Sequence, residues 1–149
     1  TVSYQLARYV MDNSRHPTRL RSYTAAWERE QALAEFKTSE SPLVMVAPSM
    51  DRGLNFADDL CRAIIICKVP WPNKGDKQVA ARLYSQGAAG QMWYTVQAIR
   101  GLVQMTGRGV RHEADWCFSY LLDETFGELY RRHKRLFPKW WREAVIMEK

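Results

Sequence analysis

The sequence predicts an α/β fold with a mostly parallel sheet covered by helices on both faces, and three observations carry that prediction. Runs of consecutive apolar residues occur without the polar alternation of a half-exposed strand, at 42–47 and 63–68. Stretches with helical spacing of apolar residues lie between such runs, an order that makes neighbouring strands parallel. The chain of 149 residues, 46% hydrophobic, has no internal repeat, low-complexity tract or linker, so a single domain over 1–149 is expected.

In chain order, residues 4–13 carry a helical pattern with Leu6, Tyr9 and Val10 on one side. Residues 19–23 form a short candidate strand. Thr24 is placed to cap a helix over 25–37, whose apolar stripe includes Trp27, Ala32, Leu33 and Phe36. The run at 42–47 is a buried strand, and 63–68 a second one, ended by Pro70 and Pro72 within a loop that runs to Asp76. One or two helices fill 77–105, the later one setting Met92, Val96, Ile99 and Val103 at helical spacing. Residues 116–122 make a further strand, and a basic helical tail containing Pro138 ends the chain.

Net charge of +6 and a pI of about 9.4 favour an anionic partner without naming it. The densest apolar run, 63–67, is far too short to span a membrane, and no signal peptide opens the chain. A start at Thr1-Val2-Ser3-Tyr4 rather than at Met suggests a piece of a longer protein. Cys61, Cys67 and Cys117 are too few and too scattered for a disulfide framework or a four-thiolate metal site, and read as structural thiols. His16, His112 and His133 lack ligand spacing; His112 could approach a phosphate, although a surface position is the more ordinary reading. The expectation is an intracellular, reduced, soluble protein with no membrane partner and no metal site of its own.

Functional loops of an open α/β sheet gather beyond the carboxyl ends of the strands. After the strand at 42–47, residues 48–56 combine the Ser49 hydroxyl, the Asp51 carboxylate, the Arg52 guanidinium, Gly53 and the Asn55 amide. Glycine lets a backbone approach a ligand closely, and these side chains both donate and accept. Alone, such a segment is more often a polar surface turn. The stretch 104–111 sets Gln104, Arg108 and Arg111 around Gly107. On a continuous helix those three side chains would share one face; with a break at Gly107 the arginines remain neighbours in a tight turn. Arginine keeps its charge, and its planar fork suits phosphate oxygens, so the cluster can stabilise a phosphoryl group in transfer. The ordinary alternative is a helix end with its arginines in solvent or near the C-terminal dipole.

Taken in order, these segments resemble the C-terminal motor domain of superfamily 2 DNA helicases of the XPD-like and DinG-like group, over nearly the whole chain. Residues 49–56 resemble motif V. Residues 61–72 resemble the group's strand running into a Lys-aliphatic-Pro-aromatic-Pro turn, here Lys68 to Pro72. Residues 104–111 resemble motif VI, followed by the acidic Glu113 and Asp115 and a strand ending in Leu122-Asp123. Leu136 to Trp140 resembles the closing segment, and Thr1 to Tyr4 the tail of motif IV. Position 55 departs from the pattern: Asn55 stands where the group has Asp, which keeps an acceptor oxygen but loses the charge.

The resemblance implies a RecA-like three-layer sandwich that forms half of an ATP-driven motor. The chain has no G-x-x-x-x-G-K-S/T phosphate loop and no acidic magnesium-binding motif. In the group these belong to a first motor domain, and ATP with Mg2+ binds between the two. By resemblance, Arg108 and Arg111 reach the γ-phosphate as arginine fingers, and Gln104 orients them or the nucleotide. Gly53, Asn55 and Gly107 would border the nucleotide, and Ser3, Tyr4, Ser49 and Arg52 would lie on a single-stranded DNA track. The implied partners are the N-terminal motor domain of the same protein and single-stranded DNA, and the isolated chain is expected to hydrolyse no ATP. A freestanding nucleic-acid-binding module and an interaction domain with an inactive motor are the alternatives.

Other features carry less. Trp140-Trp141 beside Arg131 to Arg135 could make a base-stacking platform, but an amphipathic helix docked on the sheet is favoured by ordinary burial preferences. Trp71 is either a ligand contact or a loop anchor. Asp115, Asp123 and Glu124 have no adjacent nucleophile, and Asp123-Glu124 suits a helix cap.

Overall fold

The computed structural model describes residues 3–25, 27–47, 56 and 58–147. They fall into two compact units, Thr1–Leu54 and Asn55–Lys149.

The first unit opens with α1 (Tyr4–Asn13), started by Ser3, whose hydroxyl accepts the Leu6 N–H at 3.2 Å. Its buried residue is Ala7, with Val10 and Met11 packed beside it, while Tyr9 is 64% exposed. The inner face is therefore the 7-10-11 stripe rather than the side that carries Tyr9. A single 3-10 turn, Pro17–Arg19, leads into β1 (Leu20–Ser22), which pairs in parallel with β2 (Val44–Val46) in the register Leu20↔Val44. Between them lies α2 (Glu28–Thr38), which starts three residues later than the expected helix at 25. The Glu28 carboxylate explains the delay. It accepts from the Thr24 N–H, the Thr24 hydroxyl and the Ala25 N–H, and so folds 24–28 into a turn ahead of the helix. Trp27 consequently stands outside the apolar stripe and is 75% exposed, whereas Ala32 and Leu33 are buried as expected.

In the second unit, β3 (Ala63–Ile66) pairs in parallel with β4 (Phe118–Leu121), matching Ala63 to Phe118 and Ile66 to Leu121. The connection contains α3 (Lys77–Ser85) and α4 (Gly87–Thr106). Asp76 caps α3 by accepting from the Gln78 and Val79 N–H groups at 2.8 and 3.1 Å. Gly87, at φ +51, makes the left-handed corner that separates the two helices, a conformation costly for any residue with a Cβ. After β4 come α5 (Thr125–His133) and the short α6 (Lys139–Glu143).

Ile66 and Val69 are buried against Ala98, Ile99 and Leu102 of α4 and against Phe126, Leu129, Tyr130, Phe137 and Trp141 of the C-terminal segment. Trp141 stacks on Phe137 with ring centroids 4.7 Å apart, and its indole N–H donates to the Thr106 hydroxyl at 2.8 Å. The basic tail is thus an amphipathic element docked on the core, with Trp140 facing out. Trp71 stacks on Tyr94 at 5.2 Å, and the Tyr94 hydroxyl donates to the Pro72 carbonyl, so Trp71 anchors its loop. The opposite face of the β3–β4 ladder carries Ile65, Phe118 and Tyr120, each more than half exposed. Parallel strand pairs flanked by helices make this a mixed α/β, RecA-like architecture.

Candidate functional site

The last turn of α4 presents Gln104 to solvent. The helix stops at Thr106, and the Gly107 N–H closes it by donating to the Val103 and Met105 carbonyls. One 3-10 turn, Gly107–Gly109, then carries Arg108 before Val110 takes an extended conformation. The chain therefore adopts the tight-turn arrangement rather than a continuous helix. Arg108 is half-buried and Arg111 is exposed.

The two glycines of this turn serve different ends. Around Gly107, at φ −76, a Cβ would meet nothing within 4 Å. A Cβ on Gly109 would fall 2.4 Å from the Cys117 Sγ and 3.2 Å from the Cys61 carbonyl oxygen. Packing beneath the arginines thus demands glycine at 109, which the resemblance did not single out. The Sγ atoms of Cys61 and Cys117 lie 4.0 Å apart as free thiols. Burial, reinforced by the neighbouring Cys61, pushes the Cys117 thiol up to about 12, so it is an inert packing group.

Under the turn sits Asp115, whose side chain is fully buried. Its Oδ1 accepts from the Arg62 Nη1 at 2.7 Å and the Trp116 N–H at 2.9 Å. Its Oδ2 accepts from the Arg111 N–H at 3.0 Å and the Asp58 N–H at 3.4 Å. Burial alone would raise this carboxyl, but the Arg62 guanidinium and the three backbone donors outweigh it and hold Asp115 below its ordinary value. Arg62 is fixed in turn by the Asp59 carboxylate at 3.1 Å and by the Trp116 ring, 4.7 Å from its guanidinium carbon. Asp123 likewise joins two segments. Its Oδ2 accepts from the Val69 N–H at 2.7 Å, and its Oδ1 from the N–H and hydroxyl of Thr125 at the start of α5.

Asp58, His112 and Asp115 bring ligand-type atoms within 4.8 Å of one another. Each Asp115 oxygen already accepts two N–H donors, so this donor set does not suit Mg2+, whose ligands need lone pairs directed at the ion. It is a hydrogen-bonded bridge.

The structure thus gathers Gln104, Gly107, Arg108 and Arg111 in one helix end and turn. Ser3 and Tyr4 belong to the other unit, where Ser3 caps α1 and Tyr4 is 57% exposed. Ser49, Arg52, Gly53 and Asn55 lie outside the described residues. Sequence reasoning missed Asp58, Arg62 and Gly109 and gave Asp115 no role. The available signal was one aspartate four residues beyond Arg111, at the mouth of a strand. Among the described residues, no helix is long and apolar enough to cross a membrane.

Comparison with known proteins places this sequence in a family. Residues 1–144 match the helicase C-terminal domain. The chain is 32% identical over 122 residues to the Fanconi anemia group J protein homolog of Gallus gallus, covering 74% of this chain and 10% of that protein. It is 28% identical over 129 residues to the ATP-dependent DNA helicase chl-1 of Caenorhabditis elegans, covering 84% and 15%. It is 29% identical over 120 residues to the human regulator of telomere elongation helicase 1, covering 72% and 10%. The chain therefore spans only 10–15% of the length of these relatives. Arginine turn, parallel strands and family match agree: the chain belongs to the helicase C-terminal domain family of XPD-like superfamily 2 DNA helicases.

Proposed function

We propose that this domain is the second wall of an ATP site shared with the N-terminal motor domain of the same protein, in an intracellular ATP-dependent DNA helicase of DNA repair or replication. The observation that carries the reading is the turn after α4, which leaves Arg111 exposed while the buried Asp115 pins its backbone N–H. Fixing the backbone at Arg111 limits the space its guanidinium can search, which favours the preorganised charge that phosphoryl transfer requires of a protein. Arg108 and Arg111 act on the γ-phosphate, and Gln104 orients them. Gly107 has open space over it for a nucleotide's approach, and Gly53 and Asn55 border the same ligand. Mg2+ arrives with ATP on the partner domain, since both oxygens of the buried Asp115 are already taken up by N–H donors.

Ser3, Tyr4, Ser49 and Arg52 contact the backbone of single-stranded DNA, and opening and closing of the cleft moves the strand. The domain alone hydrolyses no ATP, since its sequence carries neither a phosphate loop nor an acidic magnesium-binding motif. In the full-length parent, Arg111→Ala and Arg108→Ala should each lower DNA-stimulated ATP turnover by about a thousandfold or more. Ordinary turnover in both variants overturns the arginine-finger assignment. ATP hydrolysis by the pure 149-residue chain, lost in Arg111→Ala, overturns its dependence on a second domain.

A further inference from the structure

We infer that Asp58, His112 and Asp115 form a latch that ties the backbone at residue 58 to the arginine turn, so that these two positions shift as one. The junction is double. A single Asp115 oxygen holds the Arg111 N–H at 3.0 Å and the Asp58 N–H at 3.4 Å. One residue further on, the His112 Nε2 lies 2.9 Å from the Asp58 Oδ1. Asp58 is also the one described residue other than glycine with a positive φ, at +54. A residue with a Cβ keeps that conformation only where its surroundings over-determine it, and here both bridges end on that residue.

Packing does not account for the His112–Asp58 bridge. Its side chains are 52% and 60% exposed, and an exposed pair contributes little to stability. What the bridge does is constrain relative position. Asp58 stands three residues after Asn55, and His112 directly follows Arg111. Asp115 is a positioning residue, since through it the root of β3 and β4 sets where the Arg111 backbone lies. The inference rests on the proposed function for its consequence. If the 49–56 segment faces DNA and Arg111 faces nucleotide, the latch carries the DNA signal to the arginine.

The test uses the full-length parent with His112→Ala, His112→Gln and Asp58→Gly, a single-stranded oligonucleotide, and two readouts. Steady-state ATPase gives the factor by which DNA raises kcat, and hydrogen exchange follows the amides of residues 58 and 111. His112→Ala should lower the stimulation factor by about fivefold or more with the DNA-free rate unchanged. His112→Gln, which keeps a donor for Asp58, should restore it. Asp58→Gly relieves the left-handed backbone while removing the bridge, so it should lower stimulation without lowering Tm, a combination a merely structural role does not give. Both amides should lose protection together in His112→Ala. Full stimulation in His112→Ala, or loss of protection at residue 58 alone, overturns the latch. A wild-type parent without DNA-stimulated ATPase overturns the functional reading instead, and joint or separate exchange of the two amides still decides the latch.

Discussion

Asp115 shows how one buried side chain can organise a turn, gathering four donors from Asp58, Arg62, Arg111 and Trp116. Asn at this position would keep one acceptor oxygen, turn an NH2 towards N–H donors, and leave the Arg62 charge without its buried partner. Asp115→Asn should therefore lower the urea midpoint clearly at neutral pH. The acid limb supplies the sign. Because the folded carboxyl titrates below its unfolded value, its contribution is complete above about pH 3.9 and is lost as pH falls through the lower folded value. Wild type and Asp115→Asn should accordingly converge in stability below that range, and a constant gap down to acid denaturation contradicts the account. The arginines themselves were legible in the sequence, because Gln104, Gly107, Arg108 and Arg111 form a compact local pattern. The network beneath them was not. Asp115 lies 53 residues from Arg62 and 57 from Asp58, and only the pairing of β3 with β4 brings them together.

At the scale of elements, local signals worked where the chain acts locally. α1, the two-helix span from 77 and the parallel strand pairs follow from the periodicity and order of the apolar runs, whereas the capping role of Ser3 was not read. The start of α2 did not, because the Glu28 side chain captured the Thr24 groups that would otherwise have capped a longer helix. The adjacent tryptophans of α6 were ambiguous, since a five-residue helix is too short to display a period. Burial separates them. Trp141 is 5% exposed within an aromatic cluster, and Trp140 is 59% exposed. Trp141→Ala should cost about 3–5 kcal/mol by opening a cavity under α4. Trp140→Ala should change stability by no more than about 0.5 kcal/mol, as surface substitutions do. Chemical denaturation of both variants checks the assignment, and equal losses would show that α6 does not dock as described.

For the whole molecule, the salt dependence of the proposed DNA binding follows the number of phosphate contacts rather than the net charge of +6. Each phosphate contact on a single strand adds about 0.7 to the magnitude of the slope of log affinity against log salt. Arg52→Ala in the full-length parent should reduce that magnitude by about 0.7, with little dependence on DNA sequence. An unchanged slope removes Arg52 from the track. At this scale the family was readable from the order of motifs, which a chain of this length can hold. The rest of the chemistry was not, because the sequence carries no phosphate loop and no acidic magnesium-binding motif, and the proposed ATP site draws those groups from another domain. The relatives, of which this chain spans 10–15%, carry far more sequence than this domain.

The fit of Gly109 against Cys117 constrains how such a sequence can vary. With a Cβ position only 2.4 Å from the Cys117 Sγ, even alanine at 109 is barred while a side chain of that size occupies 117. A lineage that enlarges residue 109 must first shrink residue 117, and the Cys61 carbonyl at 3.2 Å narrows that route further. The packing therefore couples the two positions, so that Gly109→Ala should be tolerated better together with Cys117→Gly than alone, as paired denaturation curves would show.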